Sequence, residues 1–313
     1  MENLIFSLNA TVPIFLLMVL GFLLRQAGLF DENYVEKTNR FVFQAALPTL
    51  LFSDLAVEDF RTAWNGRFVG FCFAATVGCI LFSVLISLLL RSRILQGEFV
   101  QASYRSSAAI LGIAFIRNIY GDSGMAPLMI VGTVPLYNVM AVIVLSLMKP
   151  GGELNQKTLG KTFRGIVTNP ILLGIVAGLV WSVAGLPMPV ILEKTAGNVA
   201  ALATPLGLMA MGAAFDGKKA FAMVRPALIC SMLKLVGFAA VLLPIAVCLG
   251  FREEALVAIL VMAGSATTVS CYVMARNMGH EGVLTSSVVM MTTFLSAFTL
   301  TGWLFVLKML GLI

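Results

Sequence analysis

Two short stretches of small and hydroxyl-bearing residues interrupt an otherwise apolar chain. The first runs from Ser106 to Ile113, and the second runs from Gly264 to Ser270. Hydroxyl groups donate neutral hydrogen bonds, so a site built from them can hold a small anion such as a carboxylate. Small residues also let membrane helices pack closely, and helix packing is the alternative interpretation of both stretches.

The candidate substrate-binding residues come from these two stretches, and two cations lie nearby in the sequence. Arg105 precedes the first stretch and either draws anions in or binds lipid headgroups. Lys234 lies inside an apolar run, where it either attracts an anion or extends its ammonium group to the cytoplasmic edge of the membrane. The candidates from the stretches are Ser106, Ser107, Ala108, Gly112, Ser265, Ala266, Thr267, Thr268 and Ser270.

The residues needed for most enzyme chemistry are missing from the sequence. His280 is the single histidine, and the five cysteines form no Cys-x-x-Cys pair, so we predict no metal site and no Ser-His-Asp set. No Asp or Glu falls deep in an apolar run, because Asp54, Glu98 and Asp216 all lie near run ends. A carboxylate-based proton or sodium site is therefore not indicated, and uniport and coupling through backbone oxygens both stay open. We expect no cofactor.

The composition is that of an integral membrane protein. Of the 313 residues, 59% are hydrophobic and 12% are charged, whereas soluble domains carry about 25% charged residues. A transmembrane helix needs about 20 apolar residues, and ten such spans leave no room for a soluble domain. The predicted spans are 9–25, 38–56, 68–90, 103–119, 125–147, 169–185, 191–215, 224–249, 254–275 and 285–310.

The second half of the chain repeats the first. A shift of 157 residues places Pro13 on Pro170 and Glu36-Lys37-Thr38 on Glu193-Lys194-Thr195. Five spans per repeat is an odd number, so the second copy starts from the opposite face of the membrane. Inverted repeats of this kind are typical of secondary transporters.

The repeat also relates the two hydroxyl-rich stretches, because one further residue of shift carries Ser107-Ala108 onto Ser265-Ala266. Inverted-repeat transporters bind substrate on helices that are broken near the membrane midplane. We therefore predict an all-α fold of ten transmembrane helices in two inverted five-helix repeats, with helices 4 and 9 broken and crossing. The repeats are 1–148 and 169–313, joined by a cytoplasmic linker, 149–168.

The basic residues set the predicted orientation. The net charge of +6 could suggest a nucleic-acid partner, but membrane proteins keep Lys and Arg in cytoplasmic loops, and we predict no nucleic-acid binding. Most of the Lys and Arg residues, among them Arg25, Lys219 and Arg276, fall on one face of the predicted topology, whereas Arg67 and Arg252 fall on the other. Assigning that face to the cytoplasm places both termini outside.

Four segments carry a family resemblance that covers the whole chain: Val12 to Leu24, Ala45 to Phe52, Tyr137-Asn138 and Tyr272 to Ala275. The sequence resembles the auxin efflux carrier family, in its bacterial branch of malonate or organic-anion permeases. The resemblance implies a scaffold and a transport bundle in a bacterial inner membrane.

The same resemblance implies roles for three further residues. Asn138 would face the crossing and contact substrate, although a polar residue can also bond a neighbouring helix. Pro48 and Pro205 would bend helices beside the crossing. The chain departs from the family pattern at the crossing itself, where Ser106-Ser107 and Ala266-Thr267 replace the Asn-Thr and Pro-Thr pairs that bacterial relatives often have.

Together these features predict a secondary transporter that moves a small organic anion, such as a mono- or dicarboxylate, by alternating access. The alternative is a sodium-coupled symporter of bile-acid type. A membrane-embedded enzyme lacks its catalytic residues here, and a channel would be built from subunits around a pore. The expected partners are the anion and the lipid bilayer, and a homodimer stays open.

Overall fold

The computed structural model describes residues 2–56, 65–90, 92–121, 124–149, 164–165 and 167–313, and this part of the chain contains helices and no strand. Of the predicted linker 149–168, residues 150–163 and 166 lie outside the described residues. The first half contains α1 (Glu2–Gln26), α2 (Glu32–Phe41), a π-helical turn π1 (Val42–Ala46), α3 (Leu47–Ala56), α4 (Gly66–Ser87), α5 (Arg93–Tyr104), α6 (Ala108–Tyr120) and α7 (Ala126–Leu147). The second half contains α8 (Pro170–Ala184), α9 (Val190–Ala201), α10 (Ala203–Ala213), α11 (Gly217–Ala222), α12 (Val224–Met232), a π-helical turn π2 (Leu233–Gly237), α13 (Phe238–Cys248), α14 (Glu253–Gly264), α15 (Ser270–Asn277) and α16 (Val283–Met309).

Several helical segments are long and apolar enough to cross a membrane. Five meet both conditions in the described residues: Gly66–Ser87, Ala126–Leu147, Val190–Ala213, Val224–Cys248 and Val283–Met309. Their outer surfaces are apolar as well, since Leu85, Val190 and Phe305 are each 62% exposed. Helices that are apolar on their exposed side are suited to lipid rather than to water.

Glycines bring two pairs of helices into backbone contact, and the two contacts obey the repeat. In the first pair, a Cβ atom on Gly21 of α1 would collide with the carbonyl oxygen of Met209 in α10. In the second, a Cβ atom on Gly178 of α8 would lie 2.8 Å from the carbonyl oxygen of Phe52 in α3. The shift of 157 residues carries Gly21 to Gly178 and Phe52 to Met209. The two halves of the chain therefore pack their glycine helices in equivalent ways.

Polar caps fix where the helices begin. Asn65 accepts a hydrogen bond from the Phe68 amide at the start of α4, and Asn169 accepts one from the Ile171 amide ahead of Pro170. Both arrangements satisfy amide groups that a helix start leaves free. The caps place the first turns of α4 and α8 close to the predicted span boundaries.

The start of α16 is capped by a distant residue. The Glu98 carboxylate accepts hydrogen bonds from the Gly282 amide at 2.9 Å and from the amide and hydroxyl of Thr285, each at 3.0 Å. Glu98 is 1% exposed, because α5 begins at Arg93 and not near residue 103. Glu98 therefore lies within a helix that begins ten residues before the predicted span, and its charge stabilises a helix N-terminus.

Candidate functional site

The chain leaves the helical conformation at two places, which correspond to the predicted breaks. Helix α5 ends at Tyr104, Arg105 is extended with φ −76° and ψ 130°, and α6 begins at Ala108. Helix α14 ends at Gly264, Ser265 is extended with φ −83° and ψ 167°, and α15 begins at Ser270. We call residues 105–107 and 265–269 the two interruptions.

The interruptions lie side by side and satisfy each other's backbone. The Ser107 amide donates to the Ala266 carbonyl oxygen at 2.9 Å, and the Ser106 hydroxyl donates to the Met262 carbonyl oxygen. The Thr267 hydroxyl donates to the Ala102 carbonyl oxygen at 2.8 Å. Since buried backbone groups must find partners, these bonds explain how both helices break without proline.

Arg105 is the central charged residue of this region. It is 2% exposed, and its Nη2 atom donates to Asn138 Oδ1 at 2.7 Å and to Ser270 Oγ at 2.8 Å. Its Nη1 atom contacts the Met274 sulfur at 2.8 Å, and its Nε atom is buried with no hydrogen-bond partner among the described residues. All of these contacts are to neutral groups, so the guanidinium has donor capacity left for an anion.

Arg105 lines a cavity of about 70 Å³ between the interruptions and the helices α3, α8 and α10. One water needs about 10–15 Å³ of such space, so the cavity has room for a molecule about the size of a small carboxylate. The lining residues are Leu47, Leu50, Leu51, Asp54, Arg105, Ser106, Ser107, Ala108, Val134, Tyr137, Asn138, Ile171, Thr204, Thr268, Val269 and Ser270.

The cavity is electrostatically positive. Helices α6 and α15 begin at its wall, and neither has a side-chain cap on its first amide groups. Each helix N-terminus acts as about half a positive charge, and the guanidinium adds one. The carboxylate of Asp54 lines the same cavity and subtracts one. The sum of about +1 favours an anionic ligand.

The cavity contains most of the predicted site residues but not all of them. Ser265, Ala266 and Thr267 do not line it. Ala266 and Thr267 bond across the crossing, whereas the Ser265 hydroxyl is buried without a hydrogen-bond partner among the described residues. Gly112 lies further along α6, where a Cβ atom would meet the Met129 side chain of α7 at 2.6 Å. The predicted residues that do line the cavity are Arg105, Ser106, Ser107, Ala108, Asn138, Thr268 and Ser270.

The two predicted helix-bending prolines lie next to the cavity lining. Pro48 is in the first turn of α3, between Leu47 and Leu50, directly after π1. Pro205 follows Thr204 in the first turn of α10. Both therefore sit where a helix has just changed its hydrogen-bonding pattern.

Lys234 does not reach the cytoplasmic edge, so that interpretation is wrong. It is 0% exposed, and its Nζ atom donates to the carbonyl oxygens of Tyr104, Met262 and Ala263 at 3.4, 3.2 and 3.1 Å. Its fourth partner is the Ser106 hydroxyl. The ammonium group thus lies at the crossing, outside the residues that line the cavity.

Sequence reasoning missed the apolar wall of the cavity and one carboxylate. Leu47, Leu50, Leu51 and Asp54 are spaced three and four residues apart and so share one face of α3. Asp54 lies near the end of α3, is half-buried and lines the cavity. The sequence shows that these four residues share one face of a helix, but it does not show that this face lines the cavity.

Among the described residues, no group of three or more His, Cys, Asp or Glu side chains is placed to hold a metal ion. Comparison with known families shows that the family described as membrane transport protein matches residues 6–304. This is a transporter family of the auxin efflux carrier type, so the resemblance found in the sequence is confirmed. Comparison with curated proteins finds no match. The matched range includes every residue that lines the cavity.

Proposed function

Because the chain belongs to the membrane transport protein family, we propose that it is a secondary transporter that moves a small organic anion by alternating access. The observation that carries the proposal is the buried Arg105 guanidinium, which lines the cavity and whose Nε atom has no hydrogen-bond partner in the described part of the chain. A guanidinium binds a carboxylate through parallel charge-assisted hydrogen bonds. A mono- or dicarboxylate would supply the negative charge that Asn138 and Ser270 lack.

The position of the cavity supports alternating access. One wall is formed by the interruptions and α7, and the other by α3, α8 and α10. Helices α3 and α8 are locked together by the glycine contact at Gly178, which favours movement of the interruptions relative to this rigid wall. A site between two such bodies can be opened to either face in turn.

We further propose that ten spans form two inverted repeats, 1–148 and 169–313, in a bacterial inner membrane with both termini outside. The equivalent glycine contacts and the paired interruptions support the repeat. The broken helices account for two of the spans, since each half is too short to cross the membrane alone.

Uptake of labelled mono- and dicarboxylates into proteoliposomes tests the function, with Arg105→Gln as the key variant. Losing a hydrogen bond to a charged ligand costs about 1.5–3 kcal/mol, so the affinity should fall roughly 10- to 150-fold. Arg40→Gln is the matched control, because Arg40 is an exposed guanidinium at the end of α2, and its uptake should equal that of the wild type. Unchanged affinity in Arg105→Gln would place the substrate elsewhere.

The variant Asn138→Asp tests the same site without changing side-chain shape. The new carboxylate would pair with Arg105, now 2.7 Å from the Asn138 oxygen, and compete with the substrate, so uptake should be lost. The control Asn65→Asp makes the same chemical change at a helix cap, where Asp and Asn serve equally well. Retained uptake in Asn138→Asp, or a panel in which only neutral or cationic solutes bind, would contradict the anion assignment.

A further inference from the structure

The surroundings of Lys234 resemble a cation-binding site that a side chain has filled. Lys234 lies in π2, between α12 and α13, and is fully buried. Its Nζ atom has four oxygen neighbours, three of which are carbonyl oxygens that can only accept hydrogen bonds. A protonated amine has N–H donors and no acceptor, so a shell made only of oxygen acceptors suits it.

These carbonyl groups belong to the C-terminal ends of the two broken helices. Tyr104 is the last residue of α5, and Met262 and Ala263 lie in the last turn of α14. The final carbonyl groups of a helix lack partners within the helix and form the negative end of its dipole. At the crossing two such ends meet in a buried place, so one positive charge stabilises both.

In secondary transporters with broken helices, half-helix C-termini and unwound carbonyl groups coordinate the coupling cation. The arrangement here offers the same ligands, but the Lys234 ammonium already occupies their centre. We propose that Lys234 is a tethered substitute for a free monovalent cation, which holds the crossing together and makes anion transport independent of sodium. The claim of sodium-independent anion transport rests on the proposed function, whereas the claim that Lys234 replaces a cation does not.

The π-helical turn is what brings the ammonium group to this position. A π turn inserts one extra residue into a helix and re-aims the side chains that follow it. In π2 the side chain of Lys234 points to the crossing, and the Leu235 carbonyl oxygen accepts a hydrogen bond from the indole of Trp303 in α16 at 3.2 Å. Lys234 is therefore a positioning residue that acts through the broken helices and does not touch the substrate cavity.

Truncation of the side chain should convert the filled site into an empty one. In Lys234→Ala the carbonyl groups lose their counter-charge, and a small monovalent cation can enter the space. In Lys234→Met an apolar side chain of similar length fills the same space and excludes the cation. The two variants share the loss of charge and differ in the room that they leave, so Lys234→Met is the matched control.

Thermal unfolding of the purified proteins in detergent tests the inference without knowledge of the substrate. We expect Lys234→Ala to unfold at a lower temperature than the wild type in choline chloride. Its midpoint should rise by about 5 °C, saturably, in methylammonium, sodium or potassium chloride of equal ionic strength. The wild type and Lys234→Met should show no such rise. A Lys234→Ala midpoint equal to that of the wild type, or the same in every salt, would overturn the proposal.

A second measurement uses the unmodified protein and so does not depend on how the variants fold. Anion uptake into proteoliposomes should be the same with sodium and with choline outside, and a requirement for sodium would overturn the proposal. A third outcome is that methylammonium stabilises Lys234→Ala saturably while the wild type takes up no anion. That result would contradict the proposed function and support the role of Lys234 as a tethered cation.

Discussion

At the residue scale, the hydroxyl groups in the second interruption and at the start of α15 divide into two kinds. Thr267 does not line the cavity: its hydroxyl donates to the Ala102 carbonyl oxygen at 2.8 Å, and its backbone amide donates to the Thr292 hydroxyl at 3.0 Å. Ser270 lines the cavity and accepts a hydrogen bond from Arg105 at 2.8 Å. The first residue therefore secures the fold of the crossing, and the second orients the guanidinium.

Substitution should separate these two roles. Thr267→Val removes one buried hydrogen bond and should lower stability by about 0.5–1.5 kcal/mol with the affinity for the anion unchanged. Ser270→Ala removes the hydroxyl that orients the Arg105 guanidinium and should weaken the affinity for the anion roughly tenfold. Uptake kinetics and thermal unfolding of both variants check this. A larger loss of affinity in Thr267→Val than in Ser270→Ala would contradict the assignment.

Sequence alone could identify the hydroxyl residues but not their division. All of them occur in stretches that the repeat relates, so their membership of the crossing was predictable. Which hydroxyl faces the cavity depends on the backbone path of the non-helical residues 265–269, which no periodic pattern describes. The partners of Lys234 were hidden for a similar reason, because they are carbonyl groups 28 to 130 residues away in the chain.

At the element scale, the glycine contacts make backbone-to-backbone packing possible between α1 and α10 and between α3 and α8. Small residues let membrane helices approach so closely that dispersion forces and weak hydrogen bonds hold them. A Cβ atom on Gly21 would collide with the backbone of Met209, and backbone cannot move aside as a flexible side chain can. These glycines therefore fix the distance between the paired helices.

We expect Gly21→Ala to lower the unfolding midpoint in detergent by about 3–10 °C, because overpacking costs about 1–3 kcal/mol. Gly70→Ala is the control: Gly70 lies in α4 with no heavy atom within 4 Å of an added Cβ atom, and alanine is the better helix former. A Gly21→Ala protein as stable as wild type would show that α1 and α10 can separate freely.

The elements were predictable to different degrees. The apolar runs predicted the long helices α4, α7 and α16 nearly to their ends, because a helix that crosses a membrane needs an uninterrupted apolar stretch. The start of α5 was not predictable, because the segment from Arg93 to Gln101 is rich in polar residues and resembles a loop. Its polar side chains have buried partners instead, as Glu98 has at α16, 184 residues away.

At the scale of the whole molecule, basic residues that the sequence assigns to the same side of the membrane lie close to one another. Arg25, Lys219 and Arg276 line one cavity of about 740 Å³. Two cations assigned to the other side, Arg67 and Arg252, both donate to carbonyl groups at the end of α13. This grouping agrees with the division of charge along the chain.

The charge bias favours the cytoplasm for the end with Arg25, Lys219 and Arg276, so we expect both termini outside. Alkaline phosphatase fused after Ile313 should be active, and green fluorescent protein fused there should be dark. The same reporters inserted within the linker 149–168 should give the opposite pattern and serve as the control. A fluorescent C-terminal fusion would reverse the orientation.

The bond between Arg105 and Ser270 joins residues 165 positions apart, and this separation has a consequence for biosynthesis. A ribosome adds about 5–20 residues per second, so roughly 8–30 s pass between the synthesis of the guanidinium and that of its hydroxyl partner. Throughout that interval α5 and α6 lack the carbonyl and amide groups of the second interruption. The nascent first half must keep Arg105 near water or lipid headgroups, and the buried charge can enter the membrane interior only when α14 and α15 arrive.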